Sequence, residues 1–433
     1  MKVLIAPWGN PFEWKETTYV FEGRTVKSLC TLPVLIETVN PDYIIVIVLD
    51  TLANIVNREG IPKIGQKMFS NYNEVRTDVE DRVRYFVEEM LGLNFDNSKL
   101  IIAPGVGVFE NITVEGDILD YYHYLIYELA RTLPVDDATF YLDLTHGINF
   151  MPVLTYRALN HLLGLLAYLK DVKLKVLNSE PYPRGLPQDR IQNIRLNVRV
   201  VEDREIRPKP IMSLLEGEEY SKLNAFISSI ANAFPLVFTT FYPNMNDIES
   251  RINSILNDFY KSIEVKEKHI RRRKNIDPNV KTLSKLYYFL RVLSTHAKFK
   301  ELPKAEPTLK ELDEISKILF NKLPRIGIVV EDQIKHLEDM LTTNGKPKSI
   351  LRKEKEWRTL RDILSKLQYL SKEYPKEDES RALRNFIAHS GFEYNVTMVK
   401  SDGNDVRFKY KSKTEKVIPY SIGALKFRLE GET

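Results

Sequence analysis

The sequence predicts an α/β domain built on a parallel sheet, followed by a mainly α-helical domain with a short C-terminal β-hairpin. Three observations carry this reading. Over the first 200 residues, short apolar runs alternate with longer amphipathic stretches; after about Val201 the pattern becomes long 3.6-residue periodicity; past Gly391 apolar residues alternate around a polar turn.

The apolar runs at 2–6, 43–49, 99–103, 139–143 and 173–177 are short enough for buried strands. Helical spacing fills the gaps between them. Residues 75–91 place Val79, Val83, Phe86, Val87 and Met90 on one face, and residues 117–133 do the same with Leu119, Tyr122, Leu125 and Ile126. Ligands of such sheets bind outside the carboxyl ends of the strands, so the loops after Ala6, Leu49, Ala103 and Asp143 are the places to look. Arg207-Pro208-Lys209-Pro210 is a proline-punctuated connection. It divides the chain into expected domains 1–205 and 206–433. In the second, residues 282–296 and 311–320 have helical period, and Val396, Met398, a Ser401-Asp402-Gly403-Asn404-Asp405 turn, Val406, Phe408 and Tyr410 read as the terminal hairpin.

With 433 residues, 43% of them hydrophobic and 28% charged, the chain suits two folded domains better than one core or a disordered tract. One cysteine, Cys30, excludes an internal disulfide framework and any Cys-based zinc site, which points to a reducing, cytoplasmic setting. The apolar start breaks at Pro7, Trp8 and Gly9, too short for a signal peptide, and no apolar run approaches the roughly 20 residues of a membrane span. No membrane association is expected. Net charge is unevenly spread: residues 1–200 hold 20 Lys and Arg against 25 Asp and Glu, and the remainder 43 against 34. A polyanion would be drawn to the second part, although a lysine-rich solvated helical surface reads the same way.

Several enzyme classes lack their motifs. There is no phosphate-binding loop ending in Gly-Lys-Ser or Gly-Lys-Thr, no His-Glu-x-x-His and no Gly-x-Ser-x-Gly. Gly105-Val106-Gly107 follows a strand without the third glycine of a dinucleotide fingerprint, and the seven histidines are scattered singly, so no metal site is expected.

Against that background the segment ending Arg384-Asn385-Phe386-Ile387-Ala388-His389 stands out. It fits a helix with Leu383, Phe386 and Ile387 inward, stopped by Ser390-Gly391. RNA carries its own nucleophile in the 2′-hydroxyl, so cutting it without metal needs proton transfer and a cation beside the phosphate. His389 can supply the first as general base or acid, and Arg384 the second through paired N–H donors. Five residues of helix turn the two side chains about 140° apart. Convergence on one phosphate therefore asks for two chains around a twofold axis, with Asn385 orienting its neighbours or bonding across that seam. The alternative is a helix-end histidine favoured by the helix dipole beside a solvated arginine. Arg291 and His296 share the spacing without the adjacent Asn or the Ser-Gly ending, and read as structural.

A second signal is Asp143-Leu144-Thr145-His146-Gly147-Ile148-Asn149, a strand running into a polar turn and an apolar helix. Thr145, Gly147 and Asn149 put a hydroxyl, a close-approach backbone and an amide at a helix N-terminus, which favours a phosphate or nucleotide edge. His146 is either a phosphate contact or a histidine packed in the turn. Trp8-Gly9-Asn10, Asp50-Thr51 and Gly105 follow neighbouring strands and would line the same crevice, with Trp8 either stacking on a base or covering the core. A third feature is the basic cluster Arg271-Arg272-Arg273-Lys274, which tracks an RNA backbone in one reading and is a solvated loop in the other.

Together these segments resemble the CRISPR-associated CARF-HEPN ribonucleases of type III systems, the Csm and Csx group, and most of all the Csx branch. Asp143-Leu144-Thr145-His146-Gly147-Ile148-Asn149 is similar to the Asp-x-Thr-His-Gly-x-Asn segment of their Rossmann-like CARF domain, and Arg384 through His389 to the Arg-x4-6-His motif of the HEPN domain. The resemblance implies an α/β N-terminal Rossmann-like CARF domain followed by a mainly α-helical HEPN domain. It implies a homodimer or higher homo-oligomer that binds cyclic oligoadenylate through Thr145, His146, Gly147 and Asn149, with cyclic tetra-adenylate the commoner ring. It further implies cutting of single-stranded RNA to a 2′,3′-cyclic phosphate and a 5′-hydroxyl, with Arg384 and His389 catalytic. The rival reading from another class is a ligand-responsive nucleic-acid-binding regulator that does not cut.

Overall fold

The computed structural model describes residues 1–96, 98–183, 194–354, 356–370, 379–411 and 416–431. The chain divides into two compact units, Met1–Arg207 with Ser250–Lys285, and Pro208–Glu249 with Leu286–Thr433. The segment 250–285, beyond the connection read from the prolines, thus belongs with the first unit.

The first unit is organised by β1 (Lys2–Pro7), β2 (Thr17–Phe21), β3 (Arg24–Ser28), β4 (Tyr43–Leu49), β5 (Ser98–Ala103), β6 (Gly107–Val108), β7 (Thr113–Glu115), β8 (Ala138–Asp143), β9 (Val172–Ser179) and β10 (Arg195–Glu205). Eight of these form one sheet in the order β3-β2-β10-β9-β8-β1-β4-β5. The five strands read from apolar runs are its contiguous parallel core, β9-β8-β1-β4-β5. Their apolarity has a simple cause. Helices α1 (Leu32–Val39), α2 (Tyr72–Tyr85), α3 (Ile118–Thr132) and α4 (Met151–Leu166) leave Leu4, Ile5, Val46 and Ile47 wholly buried. β1 is flanked by β4 on one side and β8 on the other, so the crevice of the sheet opens where their following loops diverge.

The hairpin β2-β3 and the strand β10 were not expected. β3 is an edge strand with polar, exposed residues, and β10 alternates only over its first half before a bulge between Val200 and Glu202. Arg271 and Arg272 of the basic segment lie in a strand, and Arg273 and Lys274 in the bend after it. That strand is the second of a hairpin, β11 (Ile263–Lys266) with β12 (His269–Arg272), and β12 pairs in parallel with β7.

The second unit is helical. The expected helices form as Asn279–Leu293, which crosses the unit boundary, Leu309–Phe320 and Glu379–Ala388. The expected hairpin forms as Thr397–Ser401 with Val406–Tyr410. It is not the end of the fold, since a helix follows at Val417–Gly431 and meets Ser221–Asn232, where the Ser228 hydroxyl donates to the Ser421 carbonyl at 2.5 Å. Among the described residues, no helix is long and apolar enough to cross a membrane.

Candidate functional site

Two clusters of residues singled out in the sequence occupy separate units. In the second unit, the helix Glu379–Ala388 is anchored by Phe386, fully buried against Phe234 (ring centres 5.0 Å apart), Tyr420 (5.7 Å) and Tyr410 (6.4 Å). Its end is a tight left-handed turn. Ser390 and Gly391 take φ of 49° and 85°, and the Gly391 N–H returns to the Phe386 carbonyl at 2.8 Å. A β-carbon on Gly391 would lie 3.1 Å from Phe234 Cβ and 3.2 Å from the Tyr410 hydroxyl, which itself donates to the Gly391 carbonyl. The segment past the motif therefore has a structural role. It fixes the turn that carries His389.

His389 follows this helix with its backbone N–H still bonded to the Asn385 carbonyl at 3.0 Å. The ring stacks on Tyr394 at 4.7 Å and 27°, and Nδ1 faces Gln333 Oε1 at 3.4 Å. An amide oxygen only accepts, so this contact places the proton on Nδ1 and leaves the Nε2 lone pair open. Burial pulls His389 below the ordinary imidazole value, and nearby His336 adds to the pull. It is a neutral base at neutral pH. Arg384 is exposed and pairs with no carboxylate among the described residues, while Asn385 is half-buried. A free guanidinium and a neutral, oriented imidazole are what the chemistry of RNA cutting asks for. By helix geometry they remain about 140° apart in one chain.

In the first unit, the Asp143 carboxylate is the hub of the strand-end turn. It accepts from the hydroxyls of Thr31 and Thr145, both at 2.5 Å, and from the Thr145 N–H at 3.1 Å. Thr145 Oγ1 also accepts from the Ser179 N–H at 3.0 Å. His146 resolves to the packed alternative. Its Nε2 accepts from the Thr31 N–H at 3.3 Å, its ring lies 4.2 Å from that of Trp14, and burial pushes its pKa down to about 4, against the opposing pull of Asp143. Gly147 and Gly9 are close-approach positions. A β-carbon on Gly147 would come within 2.8 Å of Pro152 Cγ, and one on Gly9 within 2.6 Å of Ile148 Cγ2. Asn149 stands exposed with a φ of 49° and makes no side-chain hydrogen bond among the described residues, and Asn10, half-buried, caps the turn at Phe12 and donates to Glu13 at 2.9 Å.

Other expected ligand contacts lie beneath this surface. Trp8 is buried, its ring edge-on to Trp14 and Phe86, so it covers the core and offers no face to a base. Asp50 is fully buried. Its carboxylate accepts from the Tyr72 hydroxyl at 2.7 Å and the Gly105 N–H at 2.8 Å, and forms an ion pair with Arg272. Thr51 and Gly105 are buried with it, and the Gly105 carbonyl accepts from Arg272 at 2.5 Å. These residues hold two strand-end loops together.

The same pairing corrects the reading of Arg272 as an RNA contact. Side chains alternate along a strand, so Arg272 points inward to Asp50 while its neighbours point out. Of those, Arg271 pairs with Glu115 at 3.2 Å and Arg273 with Glu264 at 2.5 Å, leaving Lys274 exposed without an acid partner among the described residues. Arg272 is thus taken up inside the first unit, while Arg271, Arg273 and Lys274 stay exposed at its surface. Thr31 and Gln333 are residues that sequence reasoning missed, and Arg272 one whose partner it missed, since each reaches its partner across a long stretch of chain.

Comparison with known proteins joins the two clusters. The family model described as the CARF domain of CRISPR system endoribonuclease Csx1 matches residues 3–181, and that of its HEPN domain residues 323–413, a span that includes Gln333, Arg384 and His389. The CRISPR system endoribonuclease Csx1 of Methanocaldococcus jannaschii is 32% identical over 437 residues, covering 92% of this chain and 86% of that protein. The solved structure of Enterococcus italicus Csm6 bound to cyclic hexa-2′-fluoro-hexa-dAMP aligns over 100% of this chain and 94% of that one at 12% identity, with a TM-score of 0.22, too low to bear on fold or ligand. Identity over nearly the full length, with both domains in order, establishes that the chain belongs to the CRISPR system endoribonuclease Csx1 family, a CARF domain followed by a HEPN domain.

Proposed function

We propose that this chain is a cyclic-oligoadenylate-activated, metal-independent endoribonuclease that cuts single-stranded RNA in the cytoplasm as a homodimer or higher homo-oligomer. The observation that carries the reading is His389: a half-buried imidazole with Nδ1 held by Gln333 and Nε2 left open, five residues from an exposed arginine.

In this mechanism His389 Nε2 takes the proton of the 2′-hydroxyl as that oxygen attacks the adjacent phosphorus. The 5′-oxygen leaves with a proton from solvent water, and the proton taken up by His389 Nε2 is returned to solvent, since the second chain's His389, held neutral by the same burial, has none on Nε2 to give. Arg384 holds the non-bridging oxygens as their charge grows. The products are a 2′,3′-cyclic phosphate and a 5′-hydroxyl, and no step calls on a metal. Asn385 spans or orients the seam between the two copies. At the other end, cyclic oligoadenylate, with cyclic tetra-adenylate the preferred ring, would meet the surface formed by Asn10, Gly147, Ile148 and Asn149. Asp143, Thr145 and His146 hold that turn from below.

His389→Ala is expected to abolish cutting of labelled single-stranded RNA while leaving cyclic tetra-adenylate affinity unchanged. Full activity in that variant would move the proton-transfer role elsewhere, and His296→Ala is the control with the same Arg-to-His spacing.

A further inference from the structure

Away from both clusters, the first unit contains a group of cations without a counter-ion among the described residues. Lys285, on the helix Asn279–Leu293, is only 5% exposed and has no hydrogen bond or ion pair among the described residues. Its electrostatic neighbours are two more cations, Lys281 one helical turn earlier and Arg157 of α4. Arg157 is exposed, lies over the ring of Tyr122 at 5.4 Å, and likewise has no acid partner among the described residues. Beside it the buried Tyr122 hydroxyl lacks a hydrogen-bond partner, as does Nδ1 of buried His123, a residue close enough to Lys281 to feel its charge. Asp117 and Asp277 act on His123, and among the described residues neither forms an ion pair with Lys281 or Lys285.

Burying an ammonium costs several kcal/mol unless an anion or a hydrogen-bond network compensates it. Here burial and two like charges oppose the charged form together, and the Lys285 pKa falls to about 8. Unused hydrogen-bonding groups surround the same place. A guanidinium fork, two ammonium groups and a phenolic hydroxyl form a donor set matched to a tetrahedral oxyanion.

We propose that Arg157, Lys281 and Lys285, with the Tyr122 hydroxyl, form an anion site that takes a single phosphate group. The group is either free, as inorganic phosphate or a mononucleotide end, or part of a nucleic-acid backbone. Arg157 lies about 9 Å along α4 from the first residue of that helix, so the site is separate from the Thr145–Asn149 turn.

Thermal melting of the full chain tests this. Sodium phosphate is added to one series and sodium chloride of equal ionic strength to another, and a third receives a short DNA oligonucleotide, which has no 2′-hydroxyl to be cut. A rise of several degrees in Tm with phosphate beyond that with chloride is expected. Lys285→Met should raise Tm in the absence of phosphate, by removing the uncompensated charge, and should erase the phosphate response. Arg157→Gln, at an exposed position, should leave the starting Tm in place and weaken the response. Stabilisation by phosphate alone assigns a free anion, and stabilisation by the oligonucleotide assigns a backbone phosphate. The proposal is overturned if neither exceeds chloride, or if both variants respond as the wild type does.

Discussion

At the scale of single residues, the chemistry rests on what burial does to imidazoles. His389 and His146 are both pushed toward the neutral form, but His389 keeps its acceptor nitrogen open, whereas the His146 Nε2 lone pair is engaged with the Thr31 backbone. Acid protonates His389 only below the usual histidine range, so the acid limb of cutting should lie low. His336 contributes to that depression. His336→Ala should therefore raise the His389 pKa and shift the acid limb of the kcat profile to higher pH. An unmoved limb would show that His389 is not the group it reports. The sign for stability is separate: His146, neutral in the fold with a pKa of about 4 and titrating near 6.5 when unfolded, removes stability as pH falls through that window.

At the scale of elements, the parallel core was legible because β1 and β4 are apolar on both faces, and the motif helix because Leu383, Phe386 and Ile387 share one. The edge hairpin β2-β3 was not, since a strand such as Arg24–Ser28 with one wet face carries no such run. Nor was the destination of Arg272. β12 pairs with β7, so His269 lies against Thr113, a register that no local pattern encodes. The Gln333 contact to His389 spans 56 residues for the same reason. The buried pair that results should be costly to break. Asp50→Asn or Arg272→Met, each leaving the other charge stranded, is expected to cost ~3–5 kcal/mol in urea unfolding. The double variant should cost less than the sum, and additive losses would mean the two charges do not depend on each other.

At the scale of the whole molecule, the division near Arg207 was readable from the proline-punctuated connection, while the return of a later segment to the first unit was not. Residues 250–285 are charged and partly helical like the second unit, yet they fold with the first. The proposed nuclease centre is half a site, because Arg384 and His389 diverge around their helix. Mixed Arg384→Ala and His389→Ala proteins, each inactive alone, should regain part of the wild-type rate when they exchange subunits, and a mixture no more active than its components would place the whole centre in one chain. The proposed function joins a ligand sensor to a metal-free cutting site, and one assay bears on both. Labelled single-stranded RNA is incubated with the protein in EDTA, with and without cyclic tetra-adenylate, and the ends of the products are examined. The expected result is cutting that depends on the cyclic ligand, persists in EDTA and leaves 2′,3′-cyclic phosphates. Loss of all cutting in EDTA, restored by a divalent metal, would contradict it.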